Sequence, residues 1–159
     1  MTTFPATFTN LRTCYRHPAG LIGVALTSSL EQLRWLERID MPSSPLGGYR
    51  LAEAGAIGLN GLGIPTQDIV QGVAHKACAD YTQRLPDGGR GVPHIGGALG
   101  AALTQWLLDS GFAERLRDPK SIYERRALAL TTAGYAGLVS SGLIDRTMLG
   151  ALEGAEARS

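Results

Sequence analysis

Apolar residues recur at helical spacing in two separate stretches, Leu26, Leu30 and Leu33 in the first and Leu99, Leu103 and Leu107 in the second. Each set falls on one face of an α-helix, which predicts two long helices with core-facing sides. Both stretches open with glycines three apart, Gly20 and Gly23 in one, Gly97 and Gly100 in the other. A glycine inside a helix costs roughly 1 kcal/mol relative to alanine, so these bare faces imply close approach to another element, and a second helix is the expected neighbour. After each helix the pattern breaks at turn-forming residues and becomes a short alternating run, Gly48-Tyr-Arg-Leu51 and Arg126-Ala-Leu-Ala-Leu130, which predicts a β-hairpin. The tips fall at Met41-Pro-Ser-Ser-Pro-Leu-Gly-Gly48 and Arg117-Asp-Pro-Lys-Ser121. An Ala-Gly segment then starts a short helix that ends near Gly63 or Gly142.

The similarity of the two stretches extends to their residues. His17-Pro-Ala-Gly20-Leu-Ile-Gly23-Val-Ala-Leu-Thr27 lies over His94-Ile-Gly-Gly97-Ala-Leu-Gly100-Ala-Ala-Leu-Thr104 without a gap, and Trp35 then falls on Phe112. Leu51-Ala-Glu-Ala-Gly55-Ala-Ile-Gly58-Leu59 lies over Leu130-Thr-Thr-Ala-Gly134-Tyr-Ala-Gly137-Leu138, and the offset changes by only two residues between the blocks. The reading is an α+β fold, mainly α, made of tandem winged-helix-like repeats in a pseudo-twofold arrangement, each a long helix, a β-hairpin and a short helix. Residues 1–11 form an extension, 12–64 the first repeat, 65–93 a connecting helix and loop, 94–150 the second repeat and 151–159 a frayed tail. In the connection, Thr66 is expected to cap a helix that runs through Ala79, and 85–93 to form a loop. A pseudo-twofold axis would bring His17 near His94.

Composition narrows the class. A chain of 159 residues, 44% hydrophobic and 18% charged, suits one compact body. Its formal net charge of +1 gives no overall field for nucleic acid. Cys14 and Cys78 are too few for a secreted disulfide framework, and no signal-like leader opens the chain, so a cytoplasmic location is expected. The most apolar segment, 95–108, is shorter than a membrane span and contains Thr104 and Gln105, so no membrane association is expected.

Four motifs carry a family likeness: Arg12-Thr-Cys-Tyr-Arg-His-Pro-Ala-Gly20, Cys78-Ala-Asp-Tyr-Thr-Gln-Arg84, His94-Ile-Gly-Gly-Ala-Leu-Gly100 and Leu130-Thr-Thr-Ala-Gly134. Together they resemble the C-terminal half of ArsR-like bacterial transcriptional regulators. The resemblance implies a sensing or dimerisation region, which in those proteins follows a winged-helix head that reads DNA. The present chain starts almost at that second half, so no such head is expected. The family pattern has an acidic residue where Arg16 stands, a non-proline at Pro18, Trp at Tyr81 and Glu at Gln83. Such changes beside shared Cys and His residues imply an altered ligand or altered chemistry.

Histidine titrates near neutrality, and a carboxylate bonded to one ring nitrogen fixes its tautomer, so His17, His94, Asp80 and Tyr81 are the candidate proton-transfer residues if they line one pocket. Asp80 is the natural partner of a histidine. Cys14, Tyr15, Arg16, Cys78 and Trp106 are the candidate ligand contacts around them, with aromatic walls suited to a planar molecule. Cys14 and His17, three apart on an expected helix, can point the same way, and with Cys78 and His94 they could complete a tetrahedral zinc site if the repeats fold together. Their spacing is not that of a zinc finger, and a free cysteine is commonly a small core hydrophobe, so no metal is assigned. Trp35 and Phe112 read as core plugs, and His75 as solvent-facing. The basic group Arg115, Arg117, Lys120, Arg125 and Arg126 is diluted by Glu114, Asp118 and Glu124, which suits a solvated hairpin. Neither a phosphate-cradling loop nor a nucleophile elbow is present. The expected function is small-molecule binding by a protein derived from a regulator's effector half. The alternative is a cofactor-independent enzyme, an isomerase or cyclase working by proton transfer. No cofactor is expected, nucleic-acid binding would need a partner chain, and the protein would be a monomer or homodimer.

Overall fold

The computed structural model describes residues 10–67, 69, 73–84 and 91–145. The chain runs through β1 (Arg12–Cys14), β2 (His17–Ala19), α1 (Gly20–Gln32), β3 (Leu36–Met41), β4 (Ser44–Leu51), α2 (Glu53–Gly61), β5 (Ala74–Arg84) and β6 (Gly91–Ile95). It continues through α3 (Gly97–Asp109), β7 (Ala113–Arg115), α4 (Ile122–Arg126), β8 (Leu128–Leu130) and α5 (Thr132–Ser140). Both long helices begin within a residue of a strand's end, at glycines in the left-handed region, Gly20 with φ 78° and Gly97 with φ 64°. A side chain with a Cβ would strain that strand-to-helix corner.

All strand pairs are antiparallel. Strands β3, β4, β5 and β6 form a four-stranded sheet in that order, while β1–β2 and β7–β8 are separate hairpins. An isolated bridge between Arg12 and Ala127, with Leu128 N donating to Leu11 O at 3.0 Å, lays the β1–β2 hairpin beside β8. The helices cross between these layers, α1 packing on β5 and β6 and α3 on β2. Ile22, Leu26, Leu30, Leu99, Leu103 and Leu107 are completely buried and belong to one continuous core. Among the described residues no helix is long and apolar enough to cross a membrane.

Several local contacts recur between the two parts of the chain. Trp35 N donates to Leu30 O and Phe112 N to Leu107 O, each at 2.9 Å, closing the ends of α1 and α3. The short helices start alike, Ala52 N donating to Trp35 O and Thr131 N to Phe112 O, each at 2.9 Å. Trp35 and Phe112 both pack against bare helix backbone, because a Cβ at Gly58 would collide with the Trp35 ring and one at Gly137 with the Phe112 ring. Leu59 and Leu138, the residues that follow those glycines, are fully buried.

Some expectations need correction. Helix and strand contents are nearly equal, so the fold is α+β without being mainly α. The difference lies chiefly at 74–79, where an expected connecting helix is the start of β5. Alanine is the best intrinsic helix former, but propensity is a weak prior that tertiary context overrides, and β5 gains partners on both edges, β4 on one and β6 on the other. Alternation of buried His75 and Ala77 with exposed Lys76 completes the strand pattern, so His75 faces the core and not solvent. Leu33 is exposed because α1 has ended and Arg34 turns the chain at φ 60°. Within the second expected hairpin, β7 and β8 are separated by α4, and in the first the strand β4 begins at Ser44, inside the expected tip. The expected extension over 1–9, the loop residues 85–90, the end of the second repeat at 146–150 and the tail 151–159 lie outside the described residues, while 91–93, expected in the loop, begin β6.

The glycine-marked helix faces meet strands, not a second helix. A Cβ at Gly23 would collide with the Pro18 carbonyl oxygen of β2, and one at Gly100 would sit 2.5 Å from both Ile95 O and the His17 Cβ. Gly61, by contrast, has open space around its would-be Cβ. In urea titrations Gly23→Ala should lose about 1–3 kcal/mol to overpacking, whereas Gly61→Ala should gain about 0.4–1 kcal/mol by restricting the unfolded chain. Equal midpoints for the two variants would contradict this packing.

Candidate functional site

The two-residue turn Tyr15-Arg16 reverses the chain between β1 and β2, with Tyr15 at φ 56°. Its consequence is that Cys14 and His17 stand directly opposite each other across a strand pair. They are therefore hairpin neighbours, and not residues on one helix face. The same cross-strand relation joins Cys78 of β5 to His94 of β6. Each hairpin thus contributes one thiol and one imidazole.

Packing brings the two pairs together. The His17 and His94 ring centroids are 5.4 Å apart, and Cys14 Sγ is 3.9 Å from Cys78 Sγ. One ligand atom from each of Cys14, His17 and His94 lies within 4.8 Å of the other two. The missing Cβ atoms of Gly96 and Gly100 make this possible, since Gly100 accepts the His17 Cβ and a Cβ at Gly96 would stand 3.3 Å from His17 Nε2. His94 is fully buried, while Cys14, His17 and Cys78 are half-buried.

Behind His94 stands Asp80, also without solvent exposure. Its Oδ1 accepts from Arg12 Nη2 at 2.9 Å, Thr82 N at 3.0 Å and Thr82 Oγ1 at 2.8 Å, and its Oδ2 accepts from Gly20 N at 2.6 Å. His94 Nδ1 lies 3.2 Å from the same Oδ2. Burial alone would raise the carboxyl pKa, but His94, the Arg12 guanidinium, the Gly20 amide and Thr82 outweigh it and hold Asp80 ionised well below the ordinary range. For His94, burial disfavours the charged ring, and Asp80 and Cys14 overcome it to raise its pKa. The Cys14 thiol is lowered by its contact with Cys78 and by both imidazoles, whereas Cys78 is raised by the bond to Cys14 and by burial.

The other candidates are dispersed. Tyr15 is 91% exposed, its ring centroid 6.2 Å from that of His17, and Arg16 is exposed beside it, so both rim the cluster on the solvent side. Tyr81 has its backbone in β5, and its side chain lies outside the described residues. Trp106 packs edge-on against Phe112 at 5.3 Å and lines a separate recess of about 270 Å³ with Gly63, Pro65, Ala98 and Ala102. Among the described residues, none of the Cys and His residues lines that recess. Cys78 lines an open cleft of about 490 Å³ with Ser44, Pro45, Leu46 and Lys76. In the basic group, Arg126 Nε donates to Thr13 O at 3.0 Å, which ties α4 to β1. Sequence reasoning missed Arg12, Thr82 and the Gly20 amide as the partners of Asp80. Arg12 and Gly20 share one sequence motif, but no local signal says that one carboxylate unites them across 60 or more residues.

The chain is 30% identical over 125 residues to the uncharacterized HTH-type transcriptional regulator YdfF of Bacillus subtilis (strain 168), an alignment covering 77% of this chain and 47% of the relative. It is thus a distant relative of a transcriptional regulator, and it spans about half the length of the curated relative it matches. No family model matches the chain, and no solved structure does.

Asp80 makes a prediction about pH. Because its folded pKa lies below the unfolded value of about 3.9, its stabilising contribution is complete above that pH and is lost as pH falls through it toward the folded value. The urea midpoint should therefore drop between about pH 5 and pH 2 in the native protein. Asp80→Asn should lose about 3–5 kcal/mol at neutral pH, by leaving Arg12 buried without its counter-charge, and should show a shallower acid slope. Parallel slopes for the two proteins would exclude Asp80 as the titrating group.

Proposed function

We propose that this chain is the effector-sensing part of a helix-turn-helix type regulator, and that it senses a small ligand at the cluster of Cys14, His17 and His94. The observation that carries this reading is the convergence of those three side chains where two hairpins from distant parts of the chain meet. The relationship to a regulator supports the setting, and the match to about half of that relative fits a region that works alongside a reading head. The cleft along Cys78 offers a route from solvent to the neighbourhood of the cluster.

The architecture fits two copies of one winged-helix-like unit, each a hairpin, a long helix, a second hairpin and a short helix. In support, the strand-to-helix glycines, the Trp35 and Phe112 contacts and the opposed Cys and His pairs all recur at matching positions. The pairing of Gly48 with Lys76 likewise matches that of Ala127 with Arg12. Under this reading the first hairpin of each copy docks beside the second hairpin of the other. A ligand at the cluster would touch both copies and bias their relative placement, which is the physical requirement for a sensor.

A second reading, an enzyme using proton transfer, is favoured by the 3.2 Å approach of Asp80 to His94 with the Cys14 thiol beyond it. Against it, Asp80 is already engaged by Arg12, Gly20 and Thr82, as a structural group would be.

Transcript profiling in the host tests the regulatory reading. Deleting the gene and replacing it with a His17→Ala version should change the same set of transcripts, with the variant protein present at the normal level. Identical profiles in the wild-type, deletion and variant strains would sink it.

A further inference from the structure

The cluster has the donor set of a metal site. We propose that Cys14, His17 and His94, with Cys78 as fourth donor, bind one zinc(II)-class ion at the junction of the two hairpins. The inference rests on the reading of this cluster as the ligand site and names the ligand.

Geometry is the first argument. Bonds of about 2.3 Å to sulfur and 2.0–2.1 Å to nitrogen place the ligands of a tetrahedral zinc ion roughly 3.3–3.8 Å from one another. The thiol pair, at 3.9 Å, is already at that spacing, and the Cys14, His17 and His94 donors lie within 4.8 Å of one another. Cys78 lies outside that mutually close trio and joins it as fourth donor through its contact with Cys14.

Unmet hydrogen bonding is the second argument. His17 Nδ1 and His94 Nε2 are buried without a hydrogen-bond partner, and His94 has no exposure at all. Buried polar atoms without partners are rare in folded proteins, and each calls for a physical reason. A cation that accepts imidazole lone pairs supplies one. Placement of Asp80 at 3.2 Å from His94 Nδ1 leaves Nε2 as the free donor, the carboxylate–histidine arrangement that orients metal-bound imidazoles.

Ligand chemistry gives the class of ion. Two thiols and two imidazoles suit zinc or another borderline-soft transition ion, whereas magnesium and calcium require oxygen donors. Since each hairpin supplies one sulfur and one nitrogen, the ion would also clamp the two hairpins together. Formation of a disulfide between Cys14 and Cys78 would remove both sulfurs from the set.

The full chain, stripped with a chelator under reducing conditions, can be titrated with cobalt(II) alone and then with zinc(II). The expected result is one ion per chain, a thiolate-to-cobalt charge-transfer band with strong tetrahedral visible bands, and loss of both on adding zinc. Cys14→Ser and His17→Ala, both at half-buried positions, should retain the native circular dichroism. Each should weaken binding by more than about a hundredfold, beyond the roughly 10–100-fold typical of losing a supporting contact. Cys78→Ser should leave a weaker charge-transfer band. Absence of that band in the reduced protein, or a spectrum unchanged by Cys14→Ser and His17→Ala, would overturn the proposal. Metal binding with unaltered host transcripts would leave the site standing and remove the regulatory reading, and the opposite pair of results would do the reverse.

Discussion

A single carboxylate fixes the relative position of four segments. Asp80 on β5 accepts hydrogen bonds from Arg12 on β1, from the amide that begins α1 and from Thr82 on its own strand, and it approaches His94 on β6. Arg12 is fully buried, so the Arg12–Asp80 ion pair is stable there only because both groups find several partners. Hydrophobic burial makes the body compact, yet it cannot by itself choose which strand lies next to which hairpin. The directional bonds of Asp80 supply that choice. A buried charge is a poor source of net stability and a good source of uniqueness, and here it stands directly behind the cluster.

Hydrophobic patterning was sufficient to read the two long helices and two of the short ones, but not the short helix α4. Leucines at helical spacing and glycines three apart located α1 and α3, and the Ala-Gly segments located α2 and α5. Strand β5 was hidden because its residues, Ala74, Ala77 and Ala79 among them, have weak intrinsic strand preference and take their conformation from neighbours far away in sequence. The glycine faces signalled close approach, but glycine says nothing about what approaches. Strand backbone fills those spaces as well as a helix would.

The cluster shows a different limit. Cys14 and His17 were expected side by side because residues three apart meet on a helix, and they do meet, across a two-residue turn. Local spacing therefore gave the proximity with the wrong geometry. Internal similarity pointed to His17 approaching His94, and their rings lie 5.4 Å apart. Trp106 and Tyr15 were grouped with them on residue type alone, which carries no positional content. The recess of the one and the exposure of the other come from helix phase and turn position.

The arrangement of hairpins also bears on how such a chain can change over time. The sheet that begins with β3 and β4 is completed by β5 and β6, and the β1–β2 hairpin lies beside β8 near the far end of the chain. Each portion therefore shelters strand edges belonging to the other, and losing either would expose unpaired edges on what remains. Substitutions along the shared seam must also suit both partners at once. Drift is thereby confined to outward positions such as the Tyr15-Arg16 turn, where new side chains can be tried without disturbing the seam.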